Sequence, residues 1–222
     1  MTTGQSGSRA SKRQGIRSEY KALTRQRLTD AALREFEDRG YSQCTVDDVA
    51  RRAGTSRATF YVHFSGKAEL AEGMWDVIRH KLMRLYRDLA RAPVRDRSMI
   101  EAWLERTFAF YAENRQRLIA IHEAIALEPL LAEVYFERTE EVADFIAPLI
   151  EDARGVTAET ARFRAALLTI QHERFCYFWI LRGMPFDHAQ AVCGLAEIWC
   201  DQIGVQEREV PVNASPPRAG TS

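Results

Sequence analysis

The stretch TVDDVARRAGTSRATFYVHFSGKAEL, Thr45 to Leu70, decides the fold. Thr45-Val46-Asp47-Asp48 has the pattern of a capping box, in which the Thr45 hydroxyl accepts from the Asp48 backbone N–H and opens a short helix. Gly54 can take the left-handed conformation that ends this helix and reverses the chain. Ser56 or Thr55 then caps a third helix over about 56–63. Two short helices joined by a glycine-bearing turn make a helix-turn-helix, whose second helix can enter the major groove of a DNA duplex. Val49, Ala50 and Ala53 are expected to face inward with Phe60 and Phe64, which leaves Arg57, Ala58, Thr59, Tyr61 and His63 on the outer face.

That outer set has the chemistry of a nucleic-acid reader. A guanidinium at Arg57 can donate twice to guanine O6 and N7, a contact worth roughly 1–3 kcal/mol of discrimination. Thr59 can meet a thymine methyl or a phosphate. Tyr61 and His63 offer donors at phosphate height, and Lys67 adds charge at the next helix start. Thr45 stands where backbone N–H groups already point outward and can hold a phosphate. The alternative is a small helical packing unit with aromatics in its core, Tyr61 and His63 being ordinary surface residues.

Working outward from this segment, apolar residues recur at spacings of three and four throughout, and no sustained β alternation interrupts them. Residues 1–20, rich in Ser, Gly, Arg and Lys, are expected to form a flexible basic arm, a solvated tail or a minor-groove reader. A first helix over about 22–39 places Leu28, Ala32 and Phe36 on one face and stops at Gly40. A fourth runs over about 67–90, and after APVRDRS further helices are expected near 98–113, 115–127, 129–153, 157–182 and 187–203. Pro129 suits a first turn. Pro148 should kink or interrupt its helix, and Gly183 with Pro185 should end the long one. The tail from 205, VQEREVPVNASPPRAGTS, is expected to be disordered. The fold is therefore all-α with about nine helices. A helix-turn-helix domain occupies 21–67 and a helical ligand-binding and dimerisation domain 68–204.

Composition narrows the function. With 46% hydrophobic residues, the 222-residue chain can build a sizeable core. No apolar run approaches the roughly 20 residues that span a bilayer, and the N-terminal stretch has no apolar signal region, so a cytoplasmic protein with no membrane partner is expected. The formal net charge of zero hides a split: residues 1–67 hold 13 Lys and Arg against 7 Asp and Glu, the remainder 18 against 24. One basic end facing a polyanion and an acidic body that does not is the arrangement this suggests. Cys44, Cys176, Cys193 and Cys200 form no CxxC pair and have no ligand-like spacing with histidine, so no metal is expected.

The segment GYSQCTVDDVARRAGTSRATFYVHFSGKAEL resembles the DNA-binding signature of the TetR family of bacterial regulators. The matching positions are Gly40-Tyr41, Thr45-Val46, Val49-Ala50, Ala53-Gly54, Ser56, Thr59-Phe60-Tyr61, His63-Phe64, Lys67 and Leu70. Many members have Thr where this chain has Cys44, which removes one phosphate contact. The resemblance implies that Arg57, Ala58 and Thr59 approach bases while Thr45, Tyr61, His63 and Lys67 fix the backbone, with Ser56 completing the DNA-facing set. It also implies a homodimer built by the last two helices, whose two-fold axis demands a pseudo-palindromic operator in double-stranded DNA.

The second region carries mixed stripes at helical spacing. Ile100, Trp103, Thr107, Phe110 and Tyr111 form one; Thr139, Val142, Phe145 and Ile146 another; Thr169, His172, Glu173, Cys176 and Trp179 a third. Bulky apolar residues with isolated polar ones suit a pocket for a partly apolar small-molecule effector. The alternative is that the aromatics fill core while His172 and Glu173 face solvent or the dimer seam. Val192, Cys193, Ala196, Trp199, Cys200 and Ile203 make a candidate seam with Phe175, Phe178 and Trp179, and Trp199 could equally line the pocket. His122 and Glu123, or His172 and Glu173, point about 100° apart on a helix, and no nucleophile elbow or phosphate loop is present, so neither catalysis nor a cofactor is expected. The expectation is a repressor released from its operator by an effector. Alternatives of the same fold are a ligand-independent activator and a thiol redox sensor using Cys193 and Cys200 across the dimer.

Overall fold

The computed structural model describes residues 6–92 and 96–205, with the backbone alone for residues 6–14 and 16. The expected tail beyond Val205, the first five residues of the arm and residues 93–95 of the linker lie outside the described residues. Among those described, all regular structure is helical: α1 (Ser6–Arg39), α2 (Val46–Arg52), α3 (Arg57–His63), α4 (Lys67–Ala90), α5 (Arg97–Glu113), α6 (Arg115–Leu127), α7 (Pro129–Arg154), α8 (Ala158–Cys176) and α9 (His188–Ile203). A single π-helical turn, Tyr177–Leu181, prolongs α8.

The reading unit folds as its local chemistry dictates. Thr45 Oγ1 accepts from Asp48 N at 3.2 Å while the Asp48 carboxylate accepts from Thr45 N at 3.1 Å, so two orphan donors are satisfied reciprocally. Gly54 takes φ +66°, and the Thr55 N–H reaches back to the Ala50 carbonyl at 2.9 Å. Ser56 Oγ accepts from Thr59 N at 3.1 Å and starts α3. Beneath these caps Leu28, Ala32, Phe36, Tyr41, Val49, Ala50, Phe60 and Phe64 are buried together. Arg52 clamps α2 to α1, holding Glu35 at 2.8 Å and Asp38 at 2.6 Å.

Helix α4 leaves this unit and buries Met74, Ile78, Leu82, Tyr86 and Leu89 in the body. There α7 packs along α8, α9 packs on α5, and α4 crosses α7. The centre is aromatic: the Trp103 and Trp199 rings lie 4.7 Å apart, and Tyr86 is 5.5 Å from Trp103.

Three features depart from the sequence reading. Helix α1 begins at Ser6, not near 22, so residues 6–20 are helical: Arg, Lys, Gln and Ala in that run carry helix propensity without an apolar face to announce it. Helix α7 runs unbroken through Pro148. The ring removes one backbone donor, but Ala147, Leu149 and Ile150 around it are buried, and packing prevails over the local penalty. Finally, the stretch read as one helix to 182 changes to π-helical geometry at Tyr177 before Gly183 (φ +76°) ends it.

Candidate DNA-reading face and effector cavity

On the outer face of α3, Arg57, Ala58 and Tyr61 are exposed and Thr59 and His63 half-buried. Arg57 does not project freely. Its Nη1 donates to Asp47 at 2.9 Å and its Nη2 to the Tyr61 hydroxyl at 3.4 Å. Asp47 and then Tyr61 raise its pKa further, so it is a fixed cation. Asp47 lies on α2, so the pair spans the two helices of the motif.

Several residues expected at phosphates are engaged within the chain. The Thr45 hydroxyl also donates to Asp48 at 2.5 Å and is consumed by the cap. Ser56 Oγ lies 2.9 Å from Thr59 Oγ1. Lys67 Nζ donates to the Tyr41 carbonyl at 3.0 Å and the Cys44 carbonyl at 3.2 Å, and lies 4.2 Å from the centre of the Tyr41 ring. Lys67 thereby ties the turn before α2 to the start of α4. His63 gives its backbone carbonyl to Arg25, and its Nδ1 is buried without a partner.

In the body, the residues expected at a pocket separate into two sets. Trp103, Thr107, Tyr111, Thr169, His172 and Cys176 are fully or almost fully buried in closed core. His172 Nδ1 lies 2.9 Å from the Tyr86 hydroxyl and Nε2 lies 3.3 Å from Thr107 Oγ1. Burial, with a smaller contribution from Arg138, brings its pKa down to about 3. Phe110 packs on Tyr111, Val142 is core, and Phe145 is half-buried under Arg87. Thr139 and Glu173 instead line a cavity of 210 Å³ between α6, α7 and α8, together with His122, Tyr135, Phe136, Ile170, Arg174 and Tyr177 of the π turn. His122 in its wall is held neutral: burial first, then Arg174 and Arg138, bring its pKa down to about 4.

Glu173 faces neither solvent nor a dimer seam. It is 4% exposed, pairs with the wholly buried Arg138 and accepts from the Tyr135 hydroxyl. Arg138 and Tyr135 escaped the sequence reading, although the stripe Thr139, Val142, Ile146 extends back to both at helical spacing. Trp199 belongs to the core and not to a seam, 6.1 Å from His172, and Ala196, Cys200 and Ile203 are buried with it because α9 turns that stripe onto α5 and α7. On the last helices, the large apolar side chains exposed among the described residues are Phe163, Leu167, Ile170 and Phe178 on α8 and its extension, and Ile198 on α9. Cys193 is exposed and takes a contact from Arg97 at 3.2 Å, whereas Cys200 is buried, so these two thiols do not share an outer face.

One further group of contacts was invisible in the sequence. Glu123 on α6 accepts from Ser42 N at 3.1 Å and Ser42 Oγ at 3.2 Å. Gly40 (φ +82°) admits this carboxylate: a Cβ there would meet Glu123 Oε2 at 2.8 Å. Tyr41 donates to Glu128 at 2.5 Å, and Arg117 of α6 pairs with Glu37 of α1 at 2.5 Å. The wall of the cavity and the reading unit therefore share α6. Among the described residues, no helix is long and apolar enough to cross a membrane, and no cluster of three or more metal-binding side chains occurs.

Comparison with known proteins agrees with this architecture. Residues 28–74 match the model for bacterial regulatory proteins of the tetR family. The HTH-type transcriptional activator FasR of Mycolicibacterium smegmatis is 31% identical over 175 residues, 78% of this chain and 80% of that protein. The HTH-type transcriptional regulator SrpR of Pseudomonas putida is 44% identical over 59 residues, 27% of this chain and 28% of its own. The fold is shared with the fatty acid degradation regulator FadR from Bacillus halodurans (TM-score 0.57, 15% identity, 79% of this chain and 93% of that one). It is also shared with a transcriptional regulator from Aquifex aeolicus VF5 (TM-score 0.55, 16% identity, 80% and 96%). A capped, glycine-turned reading unit on a helical body, with a relative alike along most of its length, makes this chain a member of the TetR family of DNA-binding transcriptional regulators.

Proposed function

We propose that the chain is a dimeric, effector-responsive regulator that reads a pseudo-palindromic operator, acting as a repressor in the bacterial cytoplasm. Residues 21–67 read DNA, residues 6–20 extend that unit, and residues 68–204 sense and dimerise. Arg57, Ala58 and Thr59 meet bases, while Tyr61 and His63 stand at phosphate height. Thr45, Ser56 and Lys67 act by holding the reading helix in place. Exposed Phe163 and Leu167, one turn apart on α8, joined by Ile198 on α9, are the seam of the homodimer, since apolar side chains at that spacing on a solvent-facing helix call for a partner.

The observation that carries the switch is α6. Its His122 lines the 210 Å³ cavity while its Glu123 grips Ser42 in the turn before α2. A small molecule that prefers a widened cavity displaces α6, drags that turn and alters the separation of two reading heads that must span about 34–36 Å. A ligand with equal affinity for both shapes shifts nothing. The linker around Ala92–Ser98, expected to transmit the motion, is secondary in this scheme.

The sign of regulation rests on where the operator lies relative to its promoter. An activator is the second reading, because the relative from Mycolicibacterium smegmatis is named one. Selection from random duplex DNA, followed by sedimentation of the complex, tests the proposal. An inverted-repeat consensus bound by two chains is expected; a monomer bound without sequence preference would end it.

A further inference from the structure

The interior of the body holds donors with nothing to accept from them. Arg138 is wholly buried, and one of its Nη groups satisfies Glu173. Its Nε and its other Nη meet no acceptor, and neither does Trp75 Nε1, whose indole ring lies 5.7 Å from the guanidinium carbon. Buried N–H groups are almost always paired, because leaving one unpaired costs about 1–3 kcal/mol, more when it is charged. This set stands beside the cavity: Glu173 and Tyr135 both line it, and the Tyr135 ring lies 5.2 Å from the guanidinium carbon. The rest of the lining sets Phe136, Ile170 and Tyr177 beside the polar His122, Thr139 and Arg174.

We infer that the cavity takes a predominantly apolar molecule carrying a neutral oxygen acceptor, a ketone, ester or amide carbonyl, which docks on the free N–H groups of Arg138. Neutrality follows from the charges in direct contact with the free N–H groups, since Arg174, the other cation of the wall, is solvent-exposed and lies over the Tyr177 and Phe178 rings. The Arg138 cation is already balanced by Glu173 in direct contact. A carboxylate brought in would be desolvated beside a second carboxylate, a like-charge arrangement that low dielectric penalises. A carbonyl accepts the same N–H groups through two lone pairs with no net charge to bury. Shape selectivity comes from the apolar walls and orientation from the arginine, which is the usual division of labour in a small-molecule site.

This inference rests on the cavity being the effector site, so its test keeps the two apart. Benzylacetone, hydrocinnamate and butylbenzene share a phenyl ring and a short chain but end in a ketone, a carboxylate and a methyl group. Their affinities for the full chain are measured by calorimetry. Benzylacetone is expected to bind at least about tenfold tighter than butylbenzene, the worth of one hydrogen bond to a charged donor, and tighter than hydrocinnamate. The preference over butylbenzene should vanish in the double variant Arg138→Met, Glu173→Met, which removes the ion pair without stranding a charge. Trp75→Phe keeps the aromatic ring and should lower benzylacetone affinity alone. Equal binding of ketone and hydrocarbon, tighter binding of hydrocinnamate, no binding of any probe, or a preference that survives the double variant would each overturn the assignment. Operator release is read in parallel: a ketone preference without release keeps the anchor and sinks the effector role.

Discussion

Two imidazoles, His172 in the core and half-buried His122 in the cavity wall, make acid stability a direct test of the body's packing. His172 is held to a pKa of about 3 and His122 to about 4, both mainly by burial. In the unfolded chain each titrates near 6.5. The unfolded state therefore binds more protons as pH falls below about 6.5, and the stability from keeping both rings neutral is complete above that value and lost on acidification. Between about pH 7 and about pH 5 the unfolded chain gains about 0.7 proton per ring and the folded chain almost none. At 1.36 kcal/mol per unit over about 1.5 units, each ring removes about 2 kcal/mol, and the pair about 4 kcal/mol. That is a large part of a total of roughly 5–15 kcal/mol. Urea unfolding followed by circular dichroism, at one protein concentration and at the two pH values, measures the loss. His172→Asn lowers the baseline, because Tyr86 and Thr107 lose their partner. The quantity that matters is its slope: the acid-induced loss should fall to about half of the wild-type value. An unchanged loss in that variant would refute the assignment of a neutral, desolvated ring.

Other expectations follow from the contacts. Arg57→Ala should relax sequence preference at one operator position by roughly 1–3 kcal/mol, so an unaltered consensus from random-DNA selection would reject base reading. Lys67→Met removes two hydrogen bonds to the Tyr41 and Cys44 carbonyls and should lower the thermal midpoint by several degrees, about 1–2 kcal/mol; an unchanged melt would show that the tether is idle. Glu123→Ala cuts α6 from Ser42 and should preserve effector binding while weakening effector-driven DNA release, as read by paired calorimetry and fluorescence anisotropy. Leu167→Asp, on the exposed α8 stripe, should yield monomers in sedimentation; persistent dimers would move the seam elsewhere.

Much of the fold was legible because caps and breakers sit in the sequence itself. Thr45, Gly54, Ser56 and Pro129 mark boundaries through one-residue chemistry, and α2 to α7 and α9 begin and end within a residue or so of expectation. The start of α1 was not legible, since its first turns have propensity but no apolar period. Pro148 was overruled by tertiary packing, and the π turn at Tyr177 has no local signature. At the reading face, exposure was legible but engagement within the chain was not: that Lys67 turns inward to carbonyls 23 and 26 positions away is a tertiary fact. The same holds for the cavity. A stripe can say that Thr139 and Glu173 share faces with apolar neighbours, but only the meeting of α6, α7 and α8 makes them a wall and leaves Trp103 and His172 in core.

The Arg57–Asp47 pair gives the head an internal rival for whatever it touches. Any acceptor on a duplex, a phosphate oxygen or a guanine edge, must outcompete a carboxylate already in place. On the proposed role of Arg57, the pair lowers the hold of the head on every stretch of duplex alike. Removing that carboxylate would lift the competition at every duplex site.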